Sequence, residues 1–249
     1  MADLPVPLPA VAELYDYRGK PGVDADAPPL WLPYHQGDVF SEVDIPGIDN
    51  PERLAMLFLH PCTMRRGATL ISEVTVIAVT MHARRRVVAE PDHWARRFSI
   101  MPLPDLTGTG KQTHVADFLR IATIAATALP RSQRVATLSQ LGRGVMQQRI
   151  IHHLTRLVPT LDELDQATRA VELEIEAQAD WVQAACLHHQ AETDEVITAA
   201  EAAFDAFLSE NQGSRRKGLS SQRSAHVIME IGREKESRYP ACPSRPPRP

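Results

Sequence analysis

Residues 37–80 read GDVFSEVDIPGIDNPERLAMLFLHPCTMRRGATLISEVTVIAVT, and this stretch decides the fold of the chain. It contains runs of β-branched and large apolar residues separated by polar links, which is the pattern of consecutive β-strands. The predicted strands are 35–43, 53–62 and 69–82. Gly37 and Asp38 form a turn pair at the first strand, Arg53 opens the second, and Thr80 lies near the end of the third.

The order of these blocks resembles that of the MazF/PemK toxins. In that family the pattern runs RGD[IV], then an arginine opening a strand of the form RPxLVL, then a strand ending in IT. Here 37–39, 53–59 and 77–80 occupy those places in order. A later family block, a strand followed by a short helix, is similar to 118–154. Within that block the strand is expected at 120–124 and the helix at 144–154. The resemblance implies an α+β fold built on an SH3-like β-barrel.

The resemblance also implies a metal-independent endoribonuclease, in which the ribose 2′-oxygen attacks the adjacent phosphorus. Such a reaction needs a group that accepts or steers the proton, and a cation that stabilises charge on the phosphate oxygens. The family's catalytic pair corresponds to Arg53 and Thr80. A guanidinium stays charged and can meet two phosphate oxygens at once, so Arg53 would stabilise the charge while Thr80 orients the phosphate. The alternative to a catalytic role is that Arg53 is a solvated residue at a strand edge and that Thr80 is an ordinary strand residue.

Four further residues are candidates for substrate binding. His60 and His82 lie at or beyond the ends of predicted strands, and an imidazole can supply an acid or base near neutral pH. Arg65 and Arg66 lie in a basic turn and are candidate phosphate contacts, or simply part of a solvated loop. Cys62 is a weak candidate for a nucleophile or metal ligand, because no second cysteine lies at ligand spacing.

Composition limits the remaining possibilities. With 249 residues, 43% of them hydrophobic, the chain can form one or two compact units. The aromatic content of 5% argues against a stacking platform for single-stranded nucleic acid. The three cysteines are odd in number and far apart, which favours a reducing cytoplasm over a disulfide framework. No segment predicts a membrane span or a signal peptide, and no motif predicts a metal site or a cofactor.

Charge is unevenly distributed along the chain. The net charge is −4, yet residues 211–249 hold nine Lys or Arg against three Glu. Both ends are rich in proline, with seven in residues 1–33, and both are predicted to be disordered. A basic insertion at 83–111, which includes Arg84–Arg86, could bind the phosphate backbone of a nucleic acid.

Beyond the barrel the pattern becomes helical. A helix is predicted at 139–156, followed by a hairpin of two amphipathic helices at 159–210. Thr160 and Glu163 form a capping-box pair at the start of this hairpin. The predicted organisation is a Pro-rich segment (1–33), a barrel with the basic insertion (34–158), a helical hairpin (159–210) and a basic tail (211–249).

Three functions remain open at this point. The first is a toxin-type endoribonuclease that binds single-stranded RNA, with an antitoxin-like protein partner and a homodimer as implied by the family. The second is a barrel that has lost catalysis and binds a protein or nucleic acid, which the absence of the family proline at Leu54 and the long insertion would allow. The third is a structural protein of a phage or mobile element. The acidic helical hairpin could also inhibit the barrel within the same chain.

Overall fold

A computed structural model describes residues 5–19, 24–82, 97–109 and 112–240. The chain divides into two compact units. The barrel unit comprises 1–29, 34–66 and 70–167, and the helical unit comprises 30–33, 67–69 and 168–249. Two short segments from the first third of the sequence therefore belong to the helical unit. The division falls within a long helix and differs from the boundary predicted at 159.

The barrel unit is built on an antiparallel sheet. The strands are β1 (Tyr15–Arg18), β2 (Val39–Phe40), β3 (Leu54–Leu57), β4 (Arg65–Arg66), β5 (Thr69–Leu70), β6 (Glu73–Met81), β7 (Ile100–Pro104), β8 (Thr113–Ala125) and β9 (Arg134–Leu138). Seven of them form one curled half-barrel in the order β1-β9-β2-β3-β6-β8-β7, and β4 pairs with β5 separately. The coarse prediction of an α+β fold with a curled β-sheet and C-terminal helices is confirmed.

Helices precede, interrupt and follow the sheet. They are α1 (Val11–Leu14), α2 (Pro61–Met64), α3 (Gln140–Thr155), α4 (Leu161–His189), α5 (Asp194–Leu219) and α6 (Ser224–Arg238). The later strand and helix predicted from the family block lie within β8 and α3, as expected. At the start of α4, the Thr160 hydroxyl oxygen accepts from Glu163 N–H at 3.2 Å, and Glu163 Oε2 accepts from Thr160 N–H at 2.7 Å. The capping box is therefore confirmed.

Alternation along the central strands directs side chains into two apolar cores. Leu54 pairs with Val79 on one face of the sheet, and Ala55 pairs with Ala78 on the other. Successive strand residues point to opposite faces, so each pair contributes to a different core. The first core also contains apolar residues of α3, which covers this part of the sheet.

Gly37 shows why the turn at the first strand needs glycine. Its φ is 87°, in the left-handed region, and a Cβ there would lie 2.6 Å from Leu138 Cδ1. Its N–H donates to Leu57 O at 2.9 Å, which joins the turn to β3. The predicted Gly37-Asp38 turn is thus supported by both conformation and packing.

The helical unit has an aromatic core. The Trp181 ring lies 5.6 Å from Phe204 and 5.7 Å from Phe207, measured between centroids. Inside this core Gln178 Nε2 donates to Glu201 Oε1 at 2.8 Å and to Ala68 O at 3.1 Å. These buried hydrogen bonds hold residues 67–69 in the helical unit.

The prediction of a disordered tail is wrong for the described part of 211–249. Helix α5 continues to Leu219, and α6 occupies Ser224–Arg238. Val227 and Ile231 of α6 are buried, because apolar residues four apart form a stripe on one helix face. The predicted two-helix hairpin is therefore a set of three helices, while 241–249 lie outside the described residues.

The N-terminal segment is also ordered where it is described. Strand β1 pairs antiparallel with β9, and Leu14 at the end of α1 is fully buried. Prolines precede α1 and do not interrupt either element, since neither needs their missing N–H groups. In the basic insertion, β7 forms from 100–104 and pairs with β8, whereas 83–96 and 110–111 lie outside the described residues.

Candidate functional site

Arg53 lies in the loop before β3, where two carboxylates hold its guanidinium. Nε donates to Asp44 Oδ1 at 2.9 Å, Nη2 to Asp44 Oδ2 at 3.1 Å, and Nη1 to Glu42 Oε2 at 2.8 Å. The side chains of Arg53, Glu42 and Asp44 are 45%, 62% and 83% exposed, respectively. All three guanidinium nitrogens are therefore engaged, by groups that remain accessible to solvent.

The backbone around this cluster is unusual. Arg53 has a φ of 51° and Glu42 a φ of 59°, both in a region that non-glycine residues rarely adopt. The prediction that Arg53 opens a strand is therefore wrong by one residue, since β3 begins at Leu54. Asp105, Arg156 and Gln190 share such a conformation in turns and at helix ends, so the two angles describe loop geometry around the charged cluster.

Thr80 lies close to Arg53 in the strand register. Leu54 of β3 pairs with Val79 of β6, and Arg53 and Thr80 each lie one residue beyond that pair. On its other side Thr80 pairs with Val115 of β8. Its side chain is half-buried. The fold thus brings both members of the predicted catalytic pair to the same end of the β3–β6 ladder.

His82 belongs to the same end of the sheet. Its backbone N–H donates to Thr113 O at 2.8 Å, which continues the pairing of β6 with β8. Its Nε2 lies 3.5 Å from Nη1 of Arg97, a residue of the basic insertion. Arg53, Thr80, His82 and Arg97 therefore come to the end of β6 from three segments: the loop before β3, β6 itself with the residue after it, and the basic insertion.

His60, Arg65 and Arg66 lie at the opposite end of β3 from Arg53. His60 follows this strand, and the two arginines form β4 after the short helix α2. Strand β3 by itself spans about 13 Å. The structure does not bring the six predicted site residues into one cluster, because the two groups flank the strand that connects them.

His114 was missed by the sequence reasoning. It pairs with Met81 across β6 and β8, is 3% exposed, and its Nδ1 has no hydrogen-bond partner among the described residues. Burial lowers the pKa of its imidazole, and the charge of Glu52 partly opposes that effect. Burial thus favours the neutral form of this ring. A single histidine in an apolar strand has no spacing signal that would separate it from a core residue.

Asp38 of the Gly-Asp turn has a structural role in the barrel unit. Its Oδ2 accepts from His35 N–H at 2.9 Å and lies 3.5 Å from Arg134 Nη1, and both charged side chains are fully buried. The Arg134 guanidinium also lies 5.0 Å from the centroid of the Tyr34 ring. Burial and the aromatic contact keep this pair away from any dissolved substrate.

No three potential metal-ligating side chains cluster among the described residues. No helix in the described part of the chain is long and apolar enough to cross a membrane. Comparison with protein-family models, with curated proteins and with solved structures found no match to this chain. The MazF/PemK resemblance consequently rests on the order of its motifs and stays a prediction.

Proposed function

We propose that the barrel unit is a MazF/PemK-like endoribonuclease that cleaves single-stranded RNA without a metal ion. The proposal is supported chiefly by one observation, that Arg53 and Thr80 both lie one residue beyond the Leu54–Val79 pair. Arg53 would stabilise the charge that develops on the phosphate, and Thr80 would orient the phosphate. An SH3-like barrel of the family type is part of this proposal.

His82 is the preferred acid or base in this scheme. Both His60 and His82 are candidates by residue type, but only His82 follows the strand that carries Thr80. Arg97 lies beside His82 and adds positive charge at the same end. His60, Arg65 and Arg66 would then contact a distant part of the RNA strand.

RNA must displace the carboxylates that hold Arg53. Exposed ion pairs contribute only about 0–1 kcal/mol each, so their loss costs little. A phosphate on the same exposed guanidinium gains a contribution of the same order, so the exchange is nearly balanced in free energy. However, Glu42 and Asp44 stay nearby and repel a phosphate. They would therefore act as an internal competitor that weakens RNA binding without preventing it.

The direct test is cleavage of a mixed-sequence single-stranded RNA by the full chain in EDTA. Arg53→Ala should lower the cleavage rate by about a hundredfold or more, the effect of losing one donor to a developing charge. Arg238→Ala is the matched control, because Arg238 is 44% exposed and its Nε donates to Glu234 Oε1 at 2.7 Å. Equal cleavage by the wild-type chain and Arg53→Ala would contradict the proposal, as would the absence of cleavage by the folded wild-type chain.

A second variant tests the competitor role of the carboxylates. Glu42→Gln combined with Asp44→Asn removes two negative charges and leaves the guanidinium of Arg53 in place. RNA affinity should rise by roughly tenfold at low salt, the effect of about 1.4 kcal/mol. Filter binding on the double variant and the wild type measures it. Unchanged affinity would show that Arg53 does not bind the phosphate.

Glu42 and Asp44 occupy the guanidinium of Arg53. This observation favours a second candidate function, an RNA-binding barrel without catalysis. In that case the guanidinium contributes affinity only, and RNA would be retained but never cut by any variant. The antitoxin-like partner and the homodimer implied by the family remain predictions under either function. Inhibition of the barrel by the helices of the same chain likewise stays a prediction.

A further inference from the structure

His60 and Cys62, beyond the end of β3, form a pair with a chemistry of its own. Cys62 Sγ lies 3.0 Å from His60 Nδ1 and 3.7 Å from the hydroxyl oxygen of Thr63. The Cys62 side chain is exposed to solvent. We propose that Cys62 is a reactive thiol that exchanges with low-molecular-weight disulfides, with His60 as its base.

The local backbone holds the two side chains together. Pro61 is the first residue of α2, and its ring restricts the chain between the histidine and the cysteine. His60 lies at the N-terminal cap position, where its Nδ1 accepts from Cys62 N–H at 3.4 Å. The contact between Cys62 Sγ and His60 Nδ1 is therefore a consequence of the turn, and not of two long side chains meeting by chance.

The hydrogen bonds identify the direction of proton transfer. A backbone N–H can only donate, so its contact with His60 Nδ1 favours the neutral tautomer whose ring proton is on Nε2. The Cys62 thiol, at 3.0 Å from the same Nδ1, is then the donor and His60 the acceptor. A neutral imidazole accepts a proton readily near neutral pH. Once the thiolate forms, the Thr63 hydroxyl can donate to it.

The exchange step balances without any further reactant. The Cys62 proton passes to His60 Nδ1, and Sγ attacks one sulfur atom of the small disulfide. A new bond forms between Cys62 and that sulfur as the original S–S bond breaks. The departing thiolate takes the proton from His60 and leaves as a thiol. Cys62 is oxidised to a mixed disulfide, and half of the small molecule is reduced.

Cys186 provides an internal comparison within the same chain. It lies in α4, is buried, and belongs to the apolar core of the helical unit. Buried structural cysteines are inert, whereas exposed cysteines beside a base react. Of these two cysteines, Cys62 should therefore be modified first, and Cys186 only when the helical unit unfolds.

The test uses the full chain with oxidised glutathione at neutral pH. Peptide mass spectrometry follows each cysteine separately, and the variants are His60→Gln and Cys62→Ser. Glutamine still offers an acceptor to Cys62 N–H but cannot take up a proton, so His60→Gln separates capping from base catalysis. Cys62 should form its mixed disulfide about tenfold or more faster in the wild type than in His60→Gln. Cys62→Ser should abolish the fast modification.

Unfolding supplies a measurement that does not depend on a variant. In concentrated urea the same Cys62 loses the contact with His60, and its rate should fall to that of His60→Gln. The proposal would be overturned by equal rates in the wild type and His60→Gln, or by a native rate no faster than the unfolded one. Circular dichroism of both proteins establishes that the variant is folded.

Discussion

Arg53 and Arg134 are both ion-paired arginines of the barrel unit, and they differ mainly in burial. The Arg53 side chain is 45% exposed and bonds to two exposed carboxylates, whereas Arg134 and Asp38 are both fully buried. Water can replace the partners of Arg53 at small cost. Breaking the buried pair leaves an uncompensated charge in the interior. An arginine with carboxylate partners is therefore available for a ligand only when the pair is exposed.

The comparison also changes the meaning of the family motif. The Gly-Asp turn and the strand-opening arginine are equally visible in the sequence, but Asp38 stabilises the sheet while Arg53 lies in solvent. Positive φ angles at Arg53 and Glu42 add to the difference. Within the family motif, Asp38 therefore has a structural role and Arg53 is the candidate functional residue.

The largest effect is expected at the buried pair. Asp38→Asn should lower the free energy of unfolding of the barrel unit by about 3–5 kcal/mol, because the buried guanidinium of Arg134 loses the charged carboxylate that lies 3.5 Å away. Asp44→Asn, the matched change at the exposed pair, should cost less than about 1 kcal/mol. Hydrogen exchange of the β6 amides measures the barrel unit separately from the helices.

Removing both buried charges provides the control. Asp38→Asn combined with Arg134→Met should recover part of the lost stability, since no uncompensated charge remains. If Asp38→Asn and Asp44→Asn destabilise the β6 amides equally, burial does not distinguish the two pairs and the comparison fails.

A third arginine tests the effect of burial where the guanidinium donates to backbone carbonyls. Arg149 of α3 donates through Nε to Ile100 O at 3.0 Å and through Nη2 to Arg97 O at 2.7 Å, and burial lowers its pKa to about 10. Arg149→Lys loses the planar guanidinium that donates to both carbonyls. It should lower the free energy of unfolding by about 1.5–3 kcal/mol.

Urea unfolding, followed by exchange of the β7 and β8 amides, measures the effect of Arg149→Lys. The exposed Arg156, at the end of the same helix, is the control, and Arg156→Lys should leave stability unchanged. Equal stability of the two variants would mean that the carbonyl contacts of Arg149 contribute nothing.

The smallest effect concerns pH. Burial lowers the pKa of His114 below its ordinary value of 6.5, so the unfolded chain binds the proton first as the pH falls. The stability that depends on a neutral His114 is complete above the unfolded pKa and declines as the pH falls toward the folded one. His114→Gln should therefore show a shallower loss of stability from about pH 8 to about pH 5.

His189→Gln, at the exposed end of α4, controls for the loss of an imidazole and should keep the wild-type slope. Thermal unfolding at a series of pH values provides the measurement for both variants. An identical slope in His114→Gln and the wild type would show that His114 is solvated in the folded protein.

Much of the architecture was predictable from local patterns. The central strands, the helix after the sheet and the capping box at Thr160 follow from residues that act within a few positions of each other. The ordered tail was missed because its high charge and its prolines outweighed the apolar stripe of Val227 and Ile231. The candidate site was predictable only in part: motif order places Arg53 before β3 and Thr80 near the end of β6, but it does not show that Glu42 and Asp44 bond to Arg53.

By itself, the sequence determined the central strands, the helix after the sheet and the capping box at Thr160, because alternation, helical spacing and capping are properties of neighbouring residues. Only the tertiary structure decided which charges are exposed and which are buried. It separated His60 from Arg53 along β3 and buried Asp38 against Arg134. Burial and side-chain contact depend on residues distant in the chain, and no local pattern encodes them.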